Sequence, residues 1–342
     1  MPKVRPRLTT AVAASLASLM LLTACGGSDK DSSKDDKASE ATAQPGAKLS
    51  EPKPEDLKKV KEIEVTAAKG AKGPSVSLPD MPISVSETTR NILEEGDGEQ
   101  LDGDAYATVD LAMFSGKDGK AIEGSETYSS SPIVLDLGNA QALPGLVKAI
   151  QGQAIGASGV AVLPPKDLFG EQGMPQLGID GKDNVVLVYD VRGQLPDQAE
   201  GTEVEPKEGL PTVKWKADAP AEITIPKGAE PPTKLVNQKL IKGEGKTVKK
   251  DDTVYVSYTG VTWKDGKVFD SSMKDGRGPF AFPVGQNAVI PGWDKSVEGA
   301  KVGDRLLLVI PPEDGYGKEG TPDGSIPGNA TLVFVVDVLG AP

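Results

Sequence analysis

Residues 288–304 read AVIPGWDKSVEGAKVGD. A helix is expected over about 293–299, opening after Pro291-Gly292 and closing near Gly299. Two turns do not persist in water on propensity alone, so packing must hold this one in place. Its first residue is Trp293, which is either filler behind a turn or the floor of a pocket the turn presents. A helix held only by packing aims that indole into the concave face of whatever sheet surrounds it. The flanks are strand-like. In TVYVSYTGV (253–261) Val254, Val256 and Tyr258 share one face, FAFPV puts Phe280 and Phe282 together, and RLLLVI (305–310) and TLVFVVDVL (331–339) are β-branched runs bounded by turns. One short helix against an antiparallel sheet is α+β architecture.

Outward from this stretch the chain repeats itself. An offset of 147 residues carries ALPGL (142–146) onto VIPGW (289–293), SVSLP (75–79) onto EITIP (222–226), LEEGDG (93–98) onto LIKGEG (240–245) and VLPPKDLFG (162–170) onto VIPPEDGYG (309–317). KDGK occurs at 117 and again at 264, and no net gap accumulates. A period this long is a duplicated domain and not a solenoid unit. The copies are expected at 61–195 and 210–342, joined by a Pro/Glu/Gly-rich linker over 196–209. With 342 residues there is room for both cores.

Composition narrows the chemistry. Formal net charge is −12, which repels phosphate backbones and makes nucleic acid a poor partner. There is no histidine, so the commonest general base and most transition-metal sites are missing, and one cysteine allows neither an intrachain disulfide nor a zinc cluster. No metal and no cofactor are expected.

The N-terminus reads as an address. Lys3, Arg5 and Arg7 precede an apolar run over 8–22, followed by LTAC, in which Cys25 is the chain's only thiol. LTAC resembles the bacterial lipobox, whose cysteine becomes the lipid-bearing first residue; the alternative is an ordinary signal peptide with an incidental thiol. The expectation is a signal peptide over 1–24, a lipid on Cys25, and a polar, disordered tether over 25–60. That places the domains on the extracytoplasmic face of the cell membrane.

VSYTG, VFDSS, PFAFPVG, VIPGW, IPPEDGYG and NATLVFVVDVL in the second copy resemble, in order and spacing, the FKBP-type (macrolide-binding) peptidyl-prolyl cis-trans isomerases. The resemblance implies two tandem FKBP-like domains, each an antiparallel half-barrel sheet wrapped around a short helix. It implies a pocket made by Tyr258, Phe269, Asp270, Phe280, Val289, Ile290, Trp293, Tyr316, Ile326 and Phe334, with Trp293 beneath the substrate's proline ring. The Ile290 N–H and Tyr316 hydroxyl would hold substrate carbonyls. Asp270, positioned by Tyr258, would face the rotating carbonyl; taken alone, Asp270 also suits a turn before Ser271 and Ser272. Asp314 and Gly315 depart from the bulkier, less polar residues usual in the family, which bears on the flap around Tyr316. The expected activity is cis-trans isomerisation of X-Pro bonds in exported proteins, with macrolides as inhibitors and a monomeric state. The alternative is a non-catalytic, membrane-anchored binding module for proline-containing segments.

The first copy keeps volume and loses chemistry. Leu111, Ile122, Glu123, Ile133, Leu146, Phe169 and Leu187 stand where the second copy has Tyr258, Phe269, Asp270, Phe280, Trp293, Tyr316 and Phe334. It is expected to fold alike and to be a weak or inactive isomerase. GEGKT (243–247) imitates a phosphate loop but has Leu240 where the first glycine belongs, and reads as a turn. Trp215 and Trp263 are expected to be packing residues.

Overall fold

The structure is a computed structural model that describes residues 51–69, 72–139, 143–216, 219–274 and 276–342. The expected signal peptide, Cys25 and the tether up to residue 50 lie outside the described residues. The chain divides into two compact units between Gln194 and Leu195.

The first unit contains α1 (Pro54–Lys61), β1 (Glu64–Thr66), β2 (Ser75–Ser77), β3 (Thr89–Glu94), β4 (Tyr106–Ser115), β5 (Ile133–Asp136), α2 (Pro144–Ile150), β6 (Ser158–Leu163) and β7 (Val185–Gln194). The second contains β8 (Thr202–Glu203), β9 (Thr212–Lys214), β10 (Glu222–Thr224), β11 (Val236–Lys242), β12 (Thr253–Thr262), β13 (Val268–Ser271), β14 (Phe280–Pro283), α3 (Pro291–Val297), β15 (Arg305–Ile310) and β16 (Leu332–Gly340). β2 to β7 and α2 each begin 147 residues before their counterparts β10, β11, β12, β14, β15, β16 and α3, so the offset in sequence is an offset in structure.

The second unit's sheet runs β13-β12-β16-β15-β11-β8, with β14 beside β13 on the edge of β12; the first unit's runs β3-β6-β7-β4-β5. All of these pairings are antiparallel. Strand side chains alternate between faces, and here both faces are buried. Val254, Val256, Tyr258, Leu306, Leu308, Phe334 and Val336 enclose α3 on the concave side. Val261, Trp263, Leu307, Val309, Val333 and Val335 form a second core on the convex side, roofed by Leu210, Val213, Trp215, Ile223 and Ile225 around the β9–β10 hairpin. The first unit has the same two-sided plan, its convex core of Ala112, Phe114, Val160 and Val186 covered by Val60, Ile63, Ile83 and Val85.

Three expectations are corrected in detail. α3 begins at Pro291, two residues before 293, because proline itself occupies the first helical position; it stops at Val297, where Glu298 turns extended and Gly299 takes φ 82°. The last part of the expected tether is helix: α1 has acids in its first turn and lysines in its last, matching the macrodipole, and it buries Val60 completely. Asp56 anchors it by accepting from the Ser86 N–H and hydroxyl at 3.0 and 2.8 Å. The expected linker is bound to the second unit: Ala199 N–H donates to Asp337 at 2.7 Å, and Thr202 and Glu203 pair with Lys242 and Ile241. Polar composition described these two segments but hid the few groups that tie each down.

Candidate functional site

β12, β13, β14, β16 and α3 bring one set of rings together. Tyr258, Phe334 and Trp293 alternate or project onto the concave face and are buried. Trp293 meets Tyr258 edge-on at 5.1 Å between centroids and Phe334 at 5.2 Å, while Phe334 meets Phe269 at 5.4 Å. Phe280, on the edge strand, reaches Tyr258 at 6.1 Å and Trp293 at 6.3 Å and stacks on Phe282 at 5.7 Å. Each edge-to-face pair adds about 0.5–1.5 kcal/mol beyond area burial, so the rings fix one another's tilt. Val289, Ile290 and Ile326 pack on the same cluster. The Trp293 indole N–H is buried without a hydrogen-bond partner among the described residues; an unmet buried donor costs about 1–3 kcal/mol, and groups retained at such cost call for an explanation.

Polar groups gather on one side of the rings. The Tyr258 hydroxyl donates to Asp270 at 2.5 Å, and Arg277 donates to the other carboxylate oxygen at 2.5 Å and to the Ser271 carbonyl. Burial pushes the Asp270 carboxyl up, but hydrogen bonds from Arg277 and Tyr258 outweigh it and hold the group below the usual carboxylate range. Burial and the neighbouring Asp270 push the Tyr258 hydroxyl well above its ordinary value. Tyr316 makes none of these ring contacts; it stands at the rim, 40% exposed like Phe280, where burial and the Asp270 charge raise its pKa. The Ile290 N–H, at the N-cap of α3, has no hydrogen-bond partner among the described residues.

Three members were missed by sequence reasoning. Arg277 lies in the aperiodic loop KDGRGPF, where only the offset to Ser130 of the first copy distinguished it. Asp294 accepts from the N–H groups of Gly285 and Asn287, both at 3.0 Å, pinning the turn that leads into Val289 and Ile290; its counterpart is Val147. Gly260 lies directly opposite Phe334. Trp263 and Trp215 belong to the convex core, away from these rings.

In the first unit the corresponding side chains form ordinary core. Leu111, Ile122, Leu146 and Leu187 are buried in one cluster, Ile133 and Phe169 pack against it, and Glu123 is exposed. Tyr189 is completely buried in the same cluster, its oxygen 3.2 Å from the Gln153 amide.

A two-sided antiparallel sheet over a short helix, occurring twice in the chain, with clustered aromatic rings in the second copy and aliphatic side chains at the same positions in the first, defines a duplicated half-barrel protein. The model of the FKBP-type peptidyl-prolyl cis-trans isomerase family matches residues 98–192 and 244–339, more than half of the chain, and the chain belongs to that family. It is similar to the FK506-binding protein of Streptomyces anulatus, 40% identical over 118 residues that cover 34% of this chain and 94% of that one. The FKBP-type peptidyl-prolyl cis-trans isomerase FkpA of Escherichia coli K12 is 47% identical over 107 residues, 31% of this chain and 37% of that one, so only part of that relative's length is matched. The crystal structure of FkpA from Escherichia coli matches at 44% identity over 34% of this chain and 54% of that chain, with a TM-score of 0.29.

Proposed function

We propose that the second unit carries the peptidyl-prolyl isomerase activity of the chain, in the cup of Tyr258, Phe269, Asp270, Phe280, Trp293, Tyr316 and Phe334, and that the first unit is a filled, inactive copy. The observation that supports this most is the convergence of Trp293, Tyr258 and Phe334, with centroids 5.1 to 6.3 Å apart, beside the Tyr258–Asp270–Arg277 chain.

Rotation about a peptide bond meets a barrier of about 18–20 kcal/mol, because resonance ties the C–N bond to planarity, and only X-Pro holds both isomers within about 1 kcal/mol. No bond is made or broken, so the absence of histidine from the chain is no handicap. The twisted transition state has lost the charge-separated resonance form. An apolar surround therefore disfavours the planar ground state more than the twisted one. Trp293 and the phenylalanines supply that surround, with Trp293 under the proline ring. The Ile290 N–H and Tyr316 hydroxyl hold flanking carbonyls, which selects the twisted geometry over the planar one. Asp270, fixed by the Tyr258 hydroxyl, Arg277 and the Ser271 N–H, orients the rotating carbonyl through its charge and moves no proton.

The test is an X-Pro tetrapeptide isomerisation assay on the full chain, comparing wild type with Trp293→Leu and Asp270→Val. Both variants are expected to lose most of the acceleration; wild-type levels in both would return the site to plain packing. The substrates on this reading are exported polypeptides, because Lys3 to Cys25 has the form of a lipoprotein signal. Cys25 then carries the lipid and the domains stand outside the membrane. Metabolic labelling with a radioactive fatty acid, lost in Cys25→Ser, tests that part separately.

A further inference from the structure

Gly260 lies in β12 with Phe334 directly across on β16 and Asp270 across on β13. A Cβ there would lie 2.6 Å from Cε1 of Phe334 and 2.8 Å from Cζ of Phe269. Carbon atoms repel strongly at such separations, whose optimum is about 3.5–4.0 Å. Gly260 is absent from the residues with positive φ, so any residue could adopt its backbone conformation. What the position requires is therefore empty space. That space lets Phe269 and Phe334 cross edge-on at 5.4 Å and lets Phe334 reach Trp293 at 5.2 Å.

The first unit shows the same register with the space occupied. Met113, 147 residues earlier, sits opposite Leu187, the counterpart of Phe334, and its carbonyl accepts from Ile122, the counterpart of Phe269, at 2.9 Å. Its side chain is 1% exposed and shares a core cluster with Leu146, Leu187 and Ile122. A flexible thioether fills irregular space well. The strand is accommodated either way, but only the glycine version leaves room for two rings.

We propose that Gly260 is a positioning residue of the isomerase site, whose missing side chain sets the tilt of Phe269 and Phe334 around Trp293 and so keeps the cup open to a proline ring. The inference rests on the activity residing in the second unit. A wild-type chain that fails to isomerise would overturn that assignment; the comparisons below are made only against an active wild type, and address Gly260 alone.

The experiment uses the full chain with Gly260→Ala, Gly260→Met and, as control, Val261→Ala, which hollows the convex core one residue along the same strand. All are assayed on an X-Pro tetrapeptide at a temperature where far-UV circular dichroism shows the chain folded. Gly260→Ala is expected to lower kcat/KM at least tenfold and Gly260→Met at least a hundredfold, with loss of the nuclear Overhauser contacts between the Phe269 and Phe334 rings. Val261→Ala is expected to lower the unfolding midpoint while leaving kcat/KM within about twofold. Activity in Gly260→Ala within twofold of wild type overturns the proposal, as does equal loss in the control. Should Gly260→Ala not fold, Gly260→Ala/Phe269→Leu is compared with Phe269→Leu alone; equal activities in that pair also overturn it.

Discussion

The Tyr258 hydroxyl and the Asp270 carboxylate lie 2.5 Å apart on adjacent strands, and Arg277 takes the carboxylate's second oxygen. A carboxylate held from both sides cannot turn away from the cup. Removing one donor loosens it without removing its charge. Tyr258→Phe is accordingly expected to lower kcat/KM three- to tenfold while the ring packing survives. The loss of one hydrogen bond should reduce stability by about 1 kcal/mol. Tetrapeptide kinetics and urea unfolding of the same preparation check the two parts; unchanged kinetics would show that the hydroxyl has no part in orienting Asp270.

The titration of the site follows from the same contacts. Asp270 has its folded pKa depressed, so its contribution is complete above the ordinary carboxylate value and is lost as pH falls through the lower folded value. Tyr258 and Tyr316 have theirs raised, so their neutral hydroxyls persist past the ordinary tyrosine value and are lost only at higher pH. With no histidine in the chain, nothing in the site titrates between. Isomerase activity should be flat from about pH 5 to about pH 9, declining below about pH 4. A sigmoidal step centred near neutrality in the kcat/KM profile would contradict the assigned site.

Much of this was legible in the sequence because it is periodic. The alternation in 253–261 put Val254, Val256 and Tyr258 on one face, and the repeat of Pro-Gly at 144 and 291 located both central helices. What escaped has no period. Arg277 reaches Asp270 from a loop, Asp294 grips a turn seven and nine residues upstream, and Gly260 acts through a volume it leaves unfilled. The convex roof was hidden for a related reason: 210–229 intersperses short apolar and polar residues with prolines at 211, 220 and 226, and its apolar side chains gather beside Trp263 and Val335 only in the folded unit. Convergence of distant residues is a property of the folded chain, and only the comparison of the two copies exposed part of it beforehand.

The convex roof depends on one buried ion pair. Arg305 donates to both oxygens of the fully buried Asp337 at 2.6 and 2.7 Å, Ala199 N–H adds a third bond at 2.7 Å, and the guanidinium lies 4.3 Å from the Trp215 ring centroid. Arg305→Ala strands the carboxylate and uncovers the indole, and breaking a buried pair from one side costs about 3–5 kcal/mol. The second unit's urea midpoint should fall accordingly, with the transition of the first unit unmoved. Arg305→Lys keeps the charge without the planar fork and should fall between the two. A midpoint insensitive to Arg305→Ala would mean that the hairpin roof holds without this pair.

Tyr316 sits on the loop behind β15, and that loop is tied to the helix bearing Trp293 by Lys295 and Asp314, 2.5 Å apart. The first unit has the same pair at the same offset, Lys148 and Asp167 at 2.8 Å, but Asp167 also accepts from the Thr88 N–H and hydroxyl. Leu235 stands where Thr88 would be in the second unit and has no hydroxyl, and among the described residues its N–H makes no bond to Asp314, whose side-chain partner is Lys295. The tie in the second unit is thus the weaker one, with Lys295 58% exposed. Pairs so exposed contribute about 0.2–1 kcal/mol and are screened by salt. If the pair serves to hold Tyr316 against a substrate carbonyl, Asp314→Asn should raise KM by about 1.4- to 5-fold with kcat little changed, since 1.4 kcal/mol corresponds to a factor of ten. Raising sodium chloride to 1 M should reproduce that shift in wild type and add nothing to Asp314→Asn. The same substitution at Asp167 should leave kinetics alone and reduce the stability of the first unit instead. Equal salt dependence in wild type and Asp314→Asn would show that the tie has no bearing on substrate binding.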